Sequence, residues 1–175
     1  MSFRISDGDF MNLPQRKLQR LQNYNYSQNN AYFITICTQN RLPLLGRIEN
    51  SNLILNNAGL MVFNKFEEIS DFYPDIIIDK FIVMPNHLHA IMLIQHAGTA
   101  QGPFPTLSEH IKRFKTLTTK LYISSVKKGE YPPFDKKIWQ KSYHDHIIRN
   151  ETEYQKIWDY IDTNPLKWEL DKYYI

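Results

Sequence analysis

The sequence predicts an α+β fold of ferredoxin-like βαββαβ order: an antiparallel sheet with helices on one face, plus a C-terminal helix. Three observations point there. Runs rich in aromatic and β-branched residues over 32–38, 76–84, 87–94 and 138–148 have strand character. Stretches at 57–72, 106–125 and 151–163 carry apolar residues at helical spacing or open on helix caps. Only Pro85-Asn86 separates the two middle strands, so that pair runs antiparallel. A chain of 175 residues with 42% hydrophobic content holds one domain with one sizeable core. That domain is expected over residues 31–175, behind a basic N-terminal arm over 1–30.

Taken in order, the arm carries the cluster Arg16-Lys17-Leu18-Gln19-Arg20 and an Asn/Gln-rich end, and is expected to order only against the body or a ligand. Tyr32 to Thr38 forms the first strand. A loop over Asn40 to Pro43 follows, then a short second strand over Arg47 to Leu55. In 57–72, Leu60, Phe63, Phe66 and Ile69 mark the inner side of an amphipathic helix, and Pro74 ends it. Ile76 to Met84 is a strongly apolar strand, resumed by His87 to Ile94. After a loop over Gly98 to Pro105, Thr106 and Glu109 form a capping box for the next helix. A basic loop around Pro132-Pro133 leads to a strand over Ile138 to Ile148. Asn150, with Glu153 three residues on, caps the last helix, and Pro165 breaks it.

Composition excludes several classes. No repeat period is visible. The single cysteine, Cys37, cannot form an internal disulfide and is expected to be a buried small hydrophobe. No stretch approaches the ~18 apolar residues of a membrane span, and Met1-Ser2-Phe3-Arg4 lacks the apolar run of a signal peptide. A cytoplasmic protein with no membrane partner is therefore expected, nucleoid-associated where its partner is DNA. The net charge of +3 is unevenly spread. Residues 1–105 hold 8 basic and 8 acidic side chains, 106–149 hold 10 and 4, and 150–175 hold 3 and 6. The basic middle suggests a polyanionic partner, nucleic acid first; a solvated helix face is the plainer reading. Lys112, Arg113, Lys115 and Lys120 on the second helix, with Arg16, Lys17 and Arg20 on the arm, would track phosphates. Arg149 would touch DNA or pair with Asp145. Tyr24 and Tyr26 would stack on unpaired bases.

His87 and His89 stand two apart on a strand, so both imidazoles project from one face and can converge on one ion, while Leu88 enters the core. His144 and His146 repeat the spacing. Tyr160 and Asn164 lie at i and i+4 of the last helix, on one face. Two readings of that pair stand: a phenol beside a hard amide ligand, or a core tyrosine beside a helix C-cap.

Phe81-Ile82-Val83-Met84-Pro85-Asn86-His87-Leu88-His89-Ala90-Ile91 resembles the His-hydrophobe-His motif of the HUH single-strand nucleases, and most closely the REP-associated tyrosine transposases. Tyr32 to Thr35, Phe114 to Thr118, Ile138 to Asn150 and Asp159 to Pro165 resemble further segments of that branch, in the same order. The resemblance implies that His87 and His89 are metal ligands and Tyr160 the nucleophile. It puts Asn164 at the third ligand position, where relatives often carry Gln. It also implies Mg²⁺ or Mn²⁺ as cofactor, although the ligand set itself would suit Zn²⁺ as well. The implied activity is that of a transposase and endonuclease. It binds hairpin-forming repeats and cleaves and rejoins single-stranded DNA through a 5′-phosphotyrosine. The branch is expected to be monomeric. Two alternatives are a hairpin-binding protein of the same fold without strand transfer and a metal-dependent small-molecule hydrolase. The carboxylates Glu151, Glu153, Asp159 and Asp162 are expected to face away from the scissile phosphate.

Overall fold

The computed structural model describes residues 31–94 and 105–174; Arg16, Lys17, Arg20, Tyr24 and Tyr26 lie outside the described residues. The chain runs β1 (Ala31–Cys37), β2 (Gly46–Glu49), β3 (Asn52–Leu55), α1 (Asn57–Glu67), α2 (Ile69–Phe72), β4 (Ile76–Met84), β5 (His87–Ile94), α3 (Leu107–Lys127), β6 (His144–Ile148) and α4 (Glu151–Thr163), then a 3-10 helix over Asn164–Leu170. Four strands make one antiparallel sheet in the order β4-β5-β1-β6, and β2 pairs with β3 in a separate hairpin. With the hairpin set aside, this is the βαββαβ arrangement the sequence predicts.

Alternation along the strands sorts the side chains into two layers. Tyr32, Ile34 and Ile36 of β1 and Leu88, Ala90 and Met92 of β5 join the main core with Val62 and Phe66 of α1 and Ile111 and Phe114 of α3. Phe33 and Ile91 point the other way and pack against Ile157 and Ile161 of α4. The two crossover helices thus share one face of the sheet and the C-terminal helix covers the other. No helix among the described residues is long and apolar enough to cross a membrane.

Several boundaries differ from the sequence expectation for physical reasons. The stretch from Arg47 to Leu55 is a hairpin, because Asn50 and Ser51 both take positive φ, 50° and 62°, and turn the chain back. The helix over 57–72 divides at Glu68; Phe66 and Ile69 are buried as expected and Phe63 partly so, but Leu60 is exposed and Ala58, Gly59 and Val62 complete the buried side. The strand expected from Ile138 begins only at His144. Before it, the Lys115 ammonium donates to the carbonyls of Gln140 and Ser142, at 3.0 and 2.8 Å, so these groups are satisfied without a ladder. Trp139 makes one bridge to Thr38 and donates from its indole to Thr118 at 3.0 Å, anchoring the core.

The site face depends on how the loop after β1 is held. Leu45 N donates to Pro85 O at 2.9 Å, fixing that loop against the β4–β5 turn. Gly59 packs directly under it, where a Cβ would lie 1.9 Å from Leu45 O. Backbone on both sides cannot yield. Gly59→Ala is therefore expected to destabilise the fold by about 1–3 kcal/mol despite alanine's better helix propensity. Urea unfolding measures this, with the exposed Asn64→Ala as the helix control; a Gly59→Ala midpoint equal to wild type would refute the packing account.

Candidate metal and tyrosine centre

The β1–β5 register sets the first layer of the site. Thr35 pairs with His89 and Cys37 with His87, so both imidazoles stand on the α4 face above β1. Their ring centroids are 4.4 Å apart, and both residues are buried, as is Cys37. Each Nδ1 has a partner. His87 Nδ1 lies 2.8 Å from Asn86 Oδ1, which can only accept, so the ring hydrogen sits on Nδ1 and the Nε2 lone pair is left to bind. Thr35 Oγ1 lies 2.8 Å from His89 Nδ1 and serves the same purpose when it accepts. Asn86 is itself fixed, its amide donating to Tyr173 O at 2.7 Å and Arg41 O at 3.1 Å.

α4 supplies the second layer. The Tyr160 hydroxyl is 3.3 Å from His89 Nε2 and donates to Asp171 Oδ2 at 3.0 Å. Asn164 Nδ2 donates to the same carboxylate oxygen at 2.7 Å. Asn164 does not end the helix in the left-handed manner of a C-cap; its φ and ψ are −56° and −43°, and the chain tightens into the 3-10 helix. Its side chain is buried instead. His87 Nε2 and Asn164 Oδ1 are among the buried polar atoms here that lack a hydrogen-bond partner. Leaving such groups unpaired costs about 1–3 kcal/mol each, and a cation bound between them would remove that cost. His87, His89 and Asp171 each offer a ligand atom, all within 4.8 Å of one another. The donor set of imidazole and hard oxygen therefore fits a divalent cation.

Sequence reasoning missed Asp171, Tyr173 and the two cations beside them. Asp171 stands eleven residues beyond Tyr160, past a change of helix type, where no i,i+4 rule reaches. Tyr173 is buried with its ring centroid 4.6 Å from that of His87 and 5.7 Å from that of His89. The Arg41 guanidinium lies over the Tyr173 ring and donates to Lys172 O. Arg41 and Lys172 add positive potential at the histidines. The basic residues of α3 are elsewhere: the helix packs across the sheet from the histidines, with Lys112, Arg113 and Lys120 on its exposed side. Arg113 donates to Tyr73, and Lys115 is engaged as described above. Arg149 is exposed at the end of β6. Three acidic side chains of α4 point away from the centre. Glu153 meets His146 at 2.6 Å, Asp162 meets Lys80 at 2.5 Å, and Asp159 accepts from Gln155.

Burial governs protonation. It holds the Tyr160 phenol well above the usual tyrosine range, and the Asp171 carboxylate adds to the effect. Burial lowers His87 to about 4 and drives His89 in the same direction. Both imidazoles are thus neutral near pH 7, the form that binds metal. A histidine with a depressed folded pKa resists protonation that the unfolded chain accepts. Stability is therefore full above the unfolded value near 6.5 and falls as pH drops from there toward about 4. In chelator, His87→Gln is expected to flatten this decline in a pH series of urea unfolding; an unchanged slope would contradict the assignment.

No protein-family model matches the chain. An uncharacterized protein of Haemophilus influenzae is 38% identical over 175 aligned residues, covering 91% of this chain and 93% of that one. Among solved structures, a REP-associated tyrosine transposase bound to a REP hairpin superposes with a TM-score of 0.58 at 22% identity, over 87% of this chain and 76% of its own. The four-stranded antiparallel sheet and its helices are those of that transposase fold. This chain belongs to one family with the Haemophilus influenzae protein, and its fold is that of the REP-associated tyrosine transposases.

Proposed function

We propose that the protein is a metal-dependent transposase that binds hairpin-forming DNA and cleaves and rejoins a single strand through Tyr160. The observation that carries this reading is the Tyr160 hydroxyl at 3.3 Å from His89 Nε2, beside a second histidine and an amide whose ligand atoms have no protein partner. A phenol directed at a metal-ligand set is the arrangement a phosphoryl transfer through tyrosine requires.

His87 Nε2, His89 Nε2 and Asn164 Oδ1 would hold the ion, with Asp171 orienting Asn164 through its Nδ2. Bound there, Mg²⁺ or Mn²⁺ supplies Lewis acidity toward a non-bridging phosphate oxygen. Tyr160 attacks phosphorus as its proton passes to Asp171, whose Oδ2 already accepts that hydrogen. The bond from phosphorus to the 3′ oxygen breaks and that oxygen takes the proton from Asp171, leaving a 3′-hydroxyl and a 5′-phosphotyrosine. Rejoining reverses these steps with another 3′-hydroxyl, so no nucleotide cofactor is consumed. Tyr173 and Trp168 cover the histidines and limit water, which would otherwise hydrolyse the covalent intermediate. Arg41 and Lys172 offer charge to the scissile strand. Lys112, Arg113, Lys120 and Arg149 would meet the duplex stem, since the α3 cations lie across the sheet from the reacting centre. Lys115 is spent on backbone carbonyls.

Tyr160→Phe is expected to abolish the covalent adduct with a hairpin oligonucleotide in Mn²⁺ while hairpin binding persists, read on denaturing and native gels. An adduct formed by Tyr160→Phe would remove Tyr160 from its role, and no adduct with wild type would favour a binding-only protein. Thr35→Val, which strips the His89 Nδ1 partner, is expected to weaken Mn²⁺ binding about 10–100-fold by calorimetric titration. Asp171→Asn is expected to keep Mn²⁺ binding and slow adduct formation; loss of Mn²⁺ binding would make Asp171 a ligand instead.

A further inference from the structure

We propose that the groove between the β2–β3 hairpin and the 3-10 helix Asn164–Leu170 binds unpaired nucleotides of the strand being processed. The proposal rests on the DNA-processing reading above and deepens it by placing the bases next to the cleavage point. The groove has a volume of about 890 Å³. That lies in the upper part of the roughly 300–1,000 Å³ range of nucleotide- and drug-sized sites.

Its position connects it to the centre. Pro85, one of its walls, directly precedes the Asn86-His87 pair, and Pro165, another, directly follows Asn164. Trp168 lines the groove and also stacks on His87, ring centroids 6.0 Å apart. Tyr174 meets Trp168 edge to face at 5.6 Å and is 47% exposed. A strand whose phosphate lies at the histidines therefore has an aromatic wall beside it at the distance of adjoining residues. Leu166 and Leu170, on the same 3-10 helix, are 67% and 70% exposed, an apolar surface suited to base faces.

The charge of the groove favours bases over backbone. Lys167 and Arg47 line it, but Arg47 is paired with Glu49 at 2.5 Å. With Glu169 lining the groove beside Lys167, this near balance is unsuited to tracking a run of phosphates. Aromatic stacking, which every base can supply, is the interaction such a wall offers. Asn50 and Ser51 at the hairpin tip add polar groups for base edges.

The test uses the full chain and a DNA hairpin whose short single-stranded tail carries 5-iodouracil at one position at a time. Irradiation is expected to crosslink the tail to Trp168 or Tyr174. Tyr174→Ala is expected to weaken binding of the tailed hairpin about tenfold and leave the tailless hairpin unaffected. Asn64→Ala, an exposed change on α1 outside the groove, serves as the folded comparison and should leave binding of both hairpins unchanged. Crosslinks confined to residues 1–30 or to α3, or equal binding of the tailed hairpin by Tyr174→Ala and wild type, would overturn the subsite. The Tyr160 adduct is scored in the same samples. An adduct without groove crosslinks sinks the subsite alone; groove crosslinks without any adduct uphold the subsite and sink the strand-transfer reading. No binding of either hairpin overturns both.

Discussion

Everything at the reacting centre depends on the pairing register of β1 with β5. Because side chains alternate with a period of two, shifting that register would leave the histidines on their face of β5 but set them against different β1 residues. As built, Thr35 stands opposite His89 and Cys37 opposite His87. The register is enforced from the other side of the sheet. Ile34, Ile36, Leu88 and Ala90 are locked into the main core by α1 and α3. Hydrophobic burial on one face thus positions polar chemistry on the other, and neither face can slip independently.

The second constraint is polar satisfaction in a nearly dry space. Asp171 accepts from Tyr160, Asn164 and the Tyr173 backbone, so one carboxylate ties α4, the 3-10 helix and the final turn together. Asn86 does the same for the β4–β5 turn, holding the Arg41 and Tyr173 carbonyls while accepting from His87. Once these bonds are counted, His87 Nε2 and Asn164 Oδ1 remain unserved, as does the Tyr173 hydroxyl beside them. An amide and an imidazole left this way form an electron-rich pocket, and the nearby Arg41 and Lys172 moderate its appetite for protons.

How much of this could be read from residues alone follows from how local each signal is. The sheet and its helices were legible, because period-two and period-3.6 patterns are properties of contiguous sequence. The His87–His89 pair and the Tyr160–Asn164 pair were legible for the same reason, being spaced by one strand repeat and one helical turn. Asp171 and Tyr173 were not, since a 3-10 segment with its own geometry separates them from α4. The β2–β3 hairpin was hidden because Asn50-Ser51 adopts positive φ without a glycine to announce it. The bonds of Lys115 to the Gln140 and Ser142 carbonyls were not legible, because tertiary folding brings those carbonyls near. The concentration of positive charge over 106–149 was real in sequence, but folding carried its helix to the side of the sheet away from the histidines.

The residues from Asn164 to Tyr173 close the centre through side chains that approach β5 only from outside the sheet. During synthesis they leave the ribosome after all four strands. A nascent chain can therefore pair its sheet and pack α1 and α3 against it while the amide and the carboxylate are still unplaced. The order of translation puts the completion of the centre after that of the main core. For a protein read as cutting DNA, this separates becoming stable from becoming dangerous.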